Sequence, residues 1–219
     1  MRITHLHSWN ISPQKAIKIQ LGLKNRISLR NLSKKIRIIA GCDASFKDNK
    51  AIGVVVVMRY PELKVIETIK KESRINFPYI PGLLTFREGP VLLRCFKVLH
   101  YEPDIIIFDG QGIAHFRNMG LATHLGILLS KPSIGCAKSR LTGIIKQPAL
   151  KKGAYTLIKD SRGEIIGATL RSRDNIKPIF VSPGHKINLK DSMRIILGCS
   201  RGFRIPEPLR YAHHLTKAQ

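Results

Sequence analysis

Two aspartates stand directly after apolar runs that have the composition of buried strands. Asp43 follows Ile38–Cys42, and Asp109 follows Ile105–Phe108. Both are therefore predicted at the carboxyl ends of adjacent strands, which is where open α/β sheets bind their ligands. A carboxylate near a core is costly unless a cation offsets its charge, and oxygen ligands without cysteine or paired histidine favour Mg²⁺ or Mn²⁺ over zinc. The pattern thus predicts a divalent cation held by Asp43 and Asp109.

A third acid, Glu88, precedes Gly89 and Pro90 at the predicted start of the first long helix, from which it can reach the same sheet edge. A helix cap or a salt bridge would explain one such acid alone, but not several at one edge of so basic a chain. A divalent cation there would neutralise charge during an in-line displacement at phosphorus and supply hydroxide near neutral pH. Most of the other acids lie in turns or polar stretches: Asp48, Glu62, Glu102, Asp160 and Asp191.

Two further side chains are candidates for this chemistry. Lys138 follows the predicted strand Ser133–Ala137 and is a candidate to hold an attacking water or the scissile phosphate. His115 ends the glycine-rich loop Gly110–His115 and is a candidate for proton transfer or a phosphate contact. Each is a weak indication alone, because a single lysine is usually a solvated charge and a single histidine is usually structural.

The stretch Phe77–Leu84 contains an unusual loop in which Pro78 and Pro81 enclose Tyr79 and Ile80. One interpretation is a rigid connection whose tyrosine and isoleucine pack against the core. The other is a wedge that enters a base stack, as apolar side chains do in proteins that kink DNA. Because flipping a base costs least where pairing is already poor, such a wedge would select damaged or mismatched sites.

The charge of the chain indicates a polyanionic partner. Its 219 residues include 38 Lys and Arg against 14 Asp and Glu, a formal charge of +24. Residues 1–42 hold nine basic residues and residues 110–159 hold eight, and neither stretch contains a carboxylate. A phosphate backbone suits such a field, because each neutralised phosphate releases counterions. A basic genome-wide composition would account for part of the excess, but not for the positions of the few acids.

The elements that must position these residues follow from apolar periodicity and turn residues. Strands over Arg37–Cys42, Gly53–Met58 and Lys64–Glu72 are predicted to form an antiparallel meander. Alternating elements come next: a helix from Pro90 to Leu99, strand Asp104–Phe108, helix Asn118–Leu129, strand Ser133–Ala137, the hairpin Tyr155–Ile158 with Glu164–Leu170, and a last helix Leu189–Leu197 capped by Asn188.

This order predicts an α/β fold with a mixed sheet, an antiparallel meander followed by parallel strands, and helices on both faces. It resembles the ribonuclease-H-like architecture, a frequent scaffold of metal-dependent nucleases. The sequence has no internal repeat and no linker long enough to divide domains, so a single domain over residues 1–219 is expected, with its core at about 36–200. Whether residues 1–35 form a DNA-contacting arm or an ordinary helix stays open.

Composition excludes several classes of protein. A hydrophobic fraction of 43% is ordinary for a globular chain and excludes disorder throughout. The apolar run Ala51–Met58 is far shorter than the ~20 residues of a membrane-spanning helix. The four cysteines are too scattered for a zinc site, and the polar N-terminus lacks the apolar stretch of an export signal. A cytoplasmic protein with no membrane partner is expected.

Six motifs stand in order along the chain: GCDASF (41–46), FPYIPGLLTFRE (77–88), FDGQGIAH (108–115), GCAKSRL (135–141), FVSPGH (180–185) and RIPEP (204–208) with Ala212 and His213. Together they resemble the endonuclease V family, also called deoxyinosine 3′-endonucleases or deoxyribonuclease V. The resemblance spans about residues 40–213, and its most specific parts are the loop with two prolines and the DGQG motif. Cys42 and Phe116 depart from the family pattern, which usually has an aliphatic residue and often a proline there.

The resemblance implies a Mg²⁺-dependent DNA repair endonuclease that recognises deoxyinosine, the deaminated form of deoxyadenosine. It implies cleavage of the second phosphodiester bond 3′ to the lesion, which leaves a 3′-hydroxyl and a 5′-phosphate. Mn²⁺ is expected to substitute, inosine-containing RNA is a further candidate substrate, and a monomer is expected. Carried over by motif, Asp43, Glu88 and Asp109 are metal ligands, Lys138 contacts the reacting phosphate, His115 and His213 support catalysis or phosphate binding, and Tyr79, with Pro78, Ile80 and Pro81, forms a DNA-binding wedge.

Base choice can be argued from what hypoxanthine presents to a pocket. It carries an oxo group where adenine has an amino group, and it lacks the 2-amino group of guanine. Backbone N–H groups from Gly82 to Leu84, or from Gly110, would disfavour adenine if they are aimed at the oxo oxygen. A tight wall at the 2-position would exclude guanine, because mismatched buried polar groups discriminate strongly.

Two other functions remain open from the sequence. Another ribonuclease-H-like enzyme, such as a junction resolvase or ribonuclease H, would share the acids and the basic surface but would not need the wedge loop. A non-catalytic nucleic-acid binder, such as a ribosome-associated protein, is what the charge alone favours.

Overall fold

Eight strands and five α-helices follow one another in the computed structural model, which describes residues 1–218. The strands are β1 (Ile38–Lys47), β2 (Lys50–Arg59), β3 (Val65–Arg74), β4 (Ile105–Phe108), β5 (Ser133–Ala137), β6 (Tyr155–Lys159), β7 (Ile165–Leu170) and β8 (Ile179–His185). The helices are α1 (Pro13–Leu23), α2 (Leu84–Lys97), α3 (Leu121–Leu129), α4 (Leu189–Gly198) and α5 (Glu207–Lys217), with a short 3₁₀ turn at Lys24–Arg26.

All eight strands join one mixed sheet in the order β3-β2-β1-β4-β5-β8-β7-β6. β1, β4 and β5 run parallel in its centre, and the antiparallel meander β1–β3 continues it on one side. β8, β7 and β6 extend it by antiparallel pairing on the other side. The first hairpin turns at Asp48 and Asn49, whose φ angles of 47° and 60° give the turn the twist of the flanking strands.

Helices pack on both faces of this sheet. α2 and α3 cover one face, where the ring centroids of Phe96 and Phe108 lie 6.1 Å apart. α4 and α5 cover the other face through Ile195, Ile196 and Leu209. The predicted ribonuclease-H-like architecture is therefore confirmed. Among residues 1–218, no helix combines the length and the apolar composition needed to cross a membrane.

Two predicted boundaries near the candidate acids are wrong. β1 does not end before Asp43 but continues to Lys47, because β2 pairs with it along its whole length. α2 begins at Leu84, and Pro90 lies inside it. A proline removes one backbone donor and usually disrupts a helix interior, but here the apolar face of α2 packs on the sheet and the helix continues past it. Glu88 is thus within α2 rather than before it.

Two elements, β8 and α5, are absent from the predicted set, and a third, α1, was left open. The strand β8 contains Pro183 and Gly184, which are both unfavourable in strands and hide its pattern. The helix α5 is mostly polar, with two prolines at its start and paired histidines near its end. The helix α1 was one of two possibilities left open for the N-terminal residues.

The N-terminal segment packs on the helical face formed by α2 and α3. The Thr4 amide donates to the Leu128 carbonyl oxygen at 2.8 Å, and the Nε2 atoms of His7 and His124 lie 2.7 Å apart. Trp9 stacks on the buried His124 ring at a centroid distance of 5.9 Å. Through these contacts the N-terminal segment packs as part of the folded domain.

The burial of His124 predicts a loss of stability in mild acid. Burial, followed by the charges of His7 and His115, lowers the pKa of His124 from 6.5 to about 3. The unfolded chain then binds more protons than the folded one below pH 6.5, so stability is full above that pH and falls as the pH drops towards 3. We expect His124→Gln to reduce this slope by up to ~1.4 kcal/mol per pH unit.

Chemical denaturation between pH 7 and pH 5 would measure these slopes for wild type and variant. The exposed His5 is the matched control, and His5→Gln is expected to keep the wild-type slope. An unchanged slope in His124→Gln would show that His124 is not held neutral by the fold.

Candidate active site

The sheet register brings Asp43 and Asp109 side by side. The parallel pairing of β1 with β4 ends at Cys42 opposite Phe108, so the next residue on each strand is an aspartate. The Asp109 amide donates to the Cys42 carbonyl oxygen at 3.3 Å and keeps the two chains together at this point. One donor atom each from Asp43, Asp109 and His213 lie within 4.8 Å of one another.

Helix α5 brings His213 to this cluster from 170 residues away in sequence. The imidazole Nδ1 donates to Asp43 Oδ2 at 2.8 Å, and Thr216 Oγ1, one turn on, lies 3.4 Å from the same oxygen. This approach depends on Gly41, because a Cβ at that position would sit 2.4 Å from the Pro208 backbone. The glycine of the GCDASF motif therefore allows α5 to lie close to β1.

Glu88 adjoins the cluster from helix α2 but is not in the group of donor atoms within 4.8 Å. Glu88 is only 8% exposed. Burial first, and then the charges of Asp43 and Asp109, raise the pKa of Glu88 well above its ordinary value. Burial and the charge of Asp109 likewise raise the pKa of Asp43, against a smaller opposing effect of His213. The carboxylates of Asp43, Glu88 and Asp109 therefore repel one another in a site with little access to solvent.

This donor set fits a hard divalent cation. The two aspartates supply oxygen ligands, Glu88 adds a third negative charge nearby, and His213 is the one nitrogen donor of the group. Carboxylate oxygens are the ligands that Mg²⁺ and Mn²⁺ prefer, and a cation between them would offset both the burial and the mutual repulsion that raise the pKa values of Asp43 and Glu88.

Lys138 lies beside the cluster at the end of β5. Its Nζ donates to Asp109 Oδ2 at 2.6 Å, and its side chain is 41% exposed. The backbone of Lys138 is held by Arg204, whose guanidinium donates to the Lys138 carbonyl oxygen at 2.8 Å and also to the carbonyls of Lys177 and Pro178. No sequence signal distinguished Arg204 from the other basic residues, although it lies in the RIPEP motif.

A cavity of about 290 Å³ opens next to Asp109 and Lys138. The loop with two prolines forms one wall, and Tyr79 at its tip is 69% exposed. Of the predicted wedge and pocket residues, Tyr79, Ile80, Pro81, Gly82, Leu84 and Gly110 line the cavity, as does His115, whereas Pro78 does not. The Leu83 amide already donates to the Ile80 carbonyl, so it is not free to donate to a base. Of the amides proposed as donors to the oxo oxygen, those of Gly82, Leu84 and Gly110 remain.

The position of the loop is fixed by three hydrogen bonds to one carbonyl. Gly82 adopts a φ of +80°, which favours glycine, and its carbonyl oxygen accepts from Gln20, His115 and Arg117 at 2.9–3.0 Å. Gln20 is fully buried and also accepts from Arg117 Nε at 2.6 Å. Sequence reasoning missed Gln20 and Arg117, because nothing local marks a glutamine of α1 as a partner of this loop.

His115 is buried beside the loop and makes two hydrogen bonds within the protein. Its Nε2–H donates to Gly82, and its Nδ1 accepts from the Arg117 amide at 3.1 Å. Burial lowers the pKa of His115 to about 4, so the ring is neutral at pH 7. In this arrangement both ring nitrogens have hydrogen-bond partners within the protein, the Gly82 carbonyl and the Arg117 amide.

Comparisons with known proteins agree with this geometry. The sequence model of the family described as endonuclease V matches residues 22–214. An endonuclease V of Methanothrix thermoacetophila is 46% identical over 216 residues, covering 99% of this chain and 96% of the relative. The crystal structure of endonuclease V from Bacillus subtilis superimposes with a TM-score of 0.92 at 34% identity, over 99% of this chain and 95% of that one.

A fourth comparison includes nucleic acid. Endonuclease V from Ciona intestinalis, crystallised with a 23mer DNA containing an inosine followed by a ribo-adenosine, superimposes with a TM-score of 0.83 at 28% identity. The match covers 94% of this chain and 97% of that one.

Proposed function

This chain belongs to the endonuclease V family of nucleases, and we propose that it is a Mg²⁺-dependent DNA repair enzyme that nicks DNA at deoxyinosine. The proposed cut is at the second phosphodiester bond 3′ to the lesion and leaves a 3′-hydroxyl and a 5′-phosphate. The observation that carries the proposal is the meeting of Asp43 and Asp109 beside a base-sized cavity walled by the Tyr79 loop. The inosine-containing DNA bound by the Ciona intestinalis relative supports the choice of lesion.

Asp43 and Asp109 are proposed to hold the metal ion, with Glu88 as the third carboxylate of the site. When bound, the ion would neutralise charge on the reacting phosphate and lower the pKa of a bound water. Mn²⁺ is expected to replace Mg²⁺, because both accept carboxylate oxygens. His213 is proposed to orient Asp43 through its 2.8 Å hydrogen bond, which leaves the other carboxylate oxygen to the metal.

Lys138 is proposed to bind the reacting phosphate. Its ammonium group is already at the Asp109 carboxylate, and its partial exposure leaves it accessible to a nucleic-acid backbone. Arg204 fixes the backbone from which Lys138 extends, so the lysine reaches the phosphate from a defined point. His115 keeps the Gly82 loop in place rather than moving a proton.

The cavity beside Tyr79 is proposed to receive the flipped hypoxanthine. The amides of Gly82, Leu84 and Gly110 are candidates to donate to its oxo oxygen, which adenine lacks. The side chain of Leu121, also in the lining, would help to close the wall against the 2-amino group of guanine. All of the proposed groups come from one chain, so a monomer is proposed as the acting unit.

The proposal is tested by nicking of a labelled duplex with one inosine, with and without Mg²⁺, with products mapped to the nucleotide. We expect a cut at the second phosphodiester bond 3′ to the inosine. We expect no cut without the metal, and no cut at adenine in the matched duplex. A four-way junction, an RNA–DNA hybrid and an inosine-containing RNA serve as comparison substrates. Preferred cleavage of any of these over the inosine duplex, or equal cutting at adenine, would refute it.

Tyr79→Ala is expected to weaken binding to inosine DNA by roughly 5- to 100-fold, the effect of losing one base–aromatic stack. The salt dependence of binding should stay unchanged, because stacking is lost and no phosphate contact is removed. Fluorescence anisotropy over a range of salt concentrations measures both quantities. A smaller salt slope with an unchanged preference for inosine would show that Tyr79 is not part of the wedge.

A further inference from the structure

A second cavity adjoins the base pocket and has an exposed aromatic side chain at its rim. Phe116 directly follows His115 and is 56% exposed, with its ring centroid 5.7 Å from that of His115. Its ring also lies against Gly82, where an added Cβ would be 3.1 Å from Phe116 Cδ2. Phe116 therefore stands between the loop that walls the base pocket and the second cavity.

The second cavity has a volume of about 520 Å³, within the ~300–1,000 Å³ range of small-molecule sites. Ile144, which is 69% exposed, lines it together with Phe116, and Asn118 and Thr142 add polar groups to the lining. The cavity thus combines apolar surface suited to the faces of a nucleobase with groups suited to its edges or to a sugar.

The charge of the cavity is positive. Lys24 and Arg162 line it, and the carboxylate of Asp160 accepts from the Arg162 guanidinium and from the amides of Arg162 and Glu164. Because Asp160 and Arg162 compensate each other, Lys24 supplies the net charge. A phosphate is the complement of such a site.

The carboxylate cluster, the base pocket beside Tyr79 and the second cavity share residues, and these shared residues give the order of the three sites along the surface. Asp109 belongs to the carboxylate cluster and lines the base pocket, whereas His115 lines both the base pocket and the second cavity. Asp109 and Lys138 do not line the second cavity. The base pocket therefore lies between the carboxylates and Phe116.

We propose that this second cavity binds the nucleotide on the 5′ side of the lesion and that Phe116 stacks on its base, an inference that rests on the proposed function. A strand that is cut on the 3′ side of the flipped base must run from the base pocket towards Asp109 and Lys138. Its 5′ continuation then leaves the pocket on the opposite side, where His115 and Phe116 lead into the cavity. Lys24 is placed to receive the phosphate of that nucleotide.

The experiment uses single-stranded oligonucleotides with one inosine, a constant 3′ side, and zero, one or three nucleotides on the 5′ side. For the wild type, the first added 5′ nucleotide is expected to lower KM roughly tenfold with little change in kcat, the size of one stacking contact. Replacing the base of that nucleotide by an abasic residue should remove most of the gain. Phe116→Ala should abolish the gain, and Phe116→Trp should keep it.

Tyr101→Ala is the matched control, because Tyr101 is an exposed aromatic residue shortly before the start of β4, whereas Asp109 follows the other end of that strand. It is expected to keep the full gain. The inference is overturned if the wild type gains nothing from the first 5′ nucleotide, or if Phe116→Ala gains as much as the wild type. Nicking at inosine would continue in both cases, so the proposed function would stand. Loss of inosine nicking in the wild type itself would overturn both.

Discussion

Replacing Asp109 with alanine is expected to lower the rate of Mg²⁺-dependent nicking by a factor on the order of 10³ or more, while inosine DNA still binds. The change removes one of the two aspartates that meet at the end of the β1–β4 pairing. It also removes the partner that holds the Lys138 ammonium group at 2.6 Å. The base pocket and the positive surface keep their remaining groups, so affinity should change little and the effect should fall on kcat.

Single-turnover nicking and anisotropy binding, measured on the same inosine oligonucleotide, separate these two effects. Asp48→Ala is the matched control, since Asp48 is an exposed aspartate in the β1–β2 turn. It should nick and bind as the wild type does. Near-normal turnover of Asp109→Ala would show that Asp109 does not hold a catalytic metal ion. If the protein were a non-catalytic binder, neither the wild type nor Asp109→Ala would nick the DNA.

Replacing Glu88 with glutamine is expected to make the metal-free protein more stable and the enzyme nearly inactive. Glutamine keeps the shape of the side chain but removes a buried charge that Asp43 and Asp109 repel. For a chain of this size, each kcal/mol gained raises Tm by about 2–4 °C. Because the third carboxylate is lost, the rise in Tm that Mg²⁺ gives the wild type should shrink and nicking should fall by a factor on the order of 10² or more.

The same substitution has a defined pH signature. The folded pKa of Glu88 lies above its ordinary value of 4.5, so the stability present below that pH is lost as the pH rises through the folded pKa. Glu88→Gln should flatten this loss in the metal-free protein, whereas Glu62→Gln, in an exposed turn, should not. Thermal unfolding at several pH values, with and without Mg²⁺, provides the data. A lower Tm for Glu88→Gln, or an unchanged response to Mg²⁺, would contradict the assigned role.

Short-range patterns predicted most of the sheet because its strands are apolar runs bounded by turn residues. The strand Ser133–Ala137 has the predicted bounds, and Asn188 caps α4 by accepting from the Asp191 amide. Pro90 misled the prediction of α2, since tertiary packing holds the helix through a residue that disfavours it. The helix α5 escaped because it is polar on average and carries Glu207, Pro208 and Thr216 among its buried residues, so few apolar side chains mark its inward face.

The candidate site was only partly accessible to sequence reasoning. Asp43 and Asp109 each follow a strand-like run, so their proximity could be anticipated from sheet geometry. The contact of His213 with Asp43 spans 170 residues and depends on α5, whose close approach rests on Gly41. The bond from Gln20 to the Gly82 carbonyl spans 62 residues and likewise has no local signature. Such contacts follow from the packed fold and not from spacing.

Anomalous diffraction from crystals soaked in Mn²⁺ would locate the divalent ion itself. We predict one strong peak between the carboxylates of Asp43 and Asp109, close enough for oxygen coordination, with Glu88 on the same side. That peak should vanish in Asp109→Ala crystals. An ion bound away from these two aspartates, or nicking at inosine that persists after complete removal of divalent metal, would contradict it.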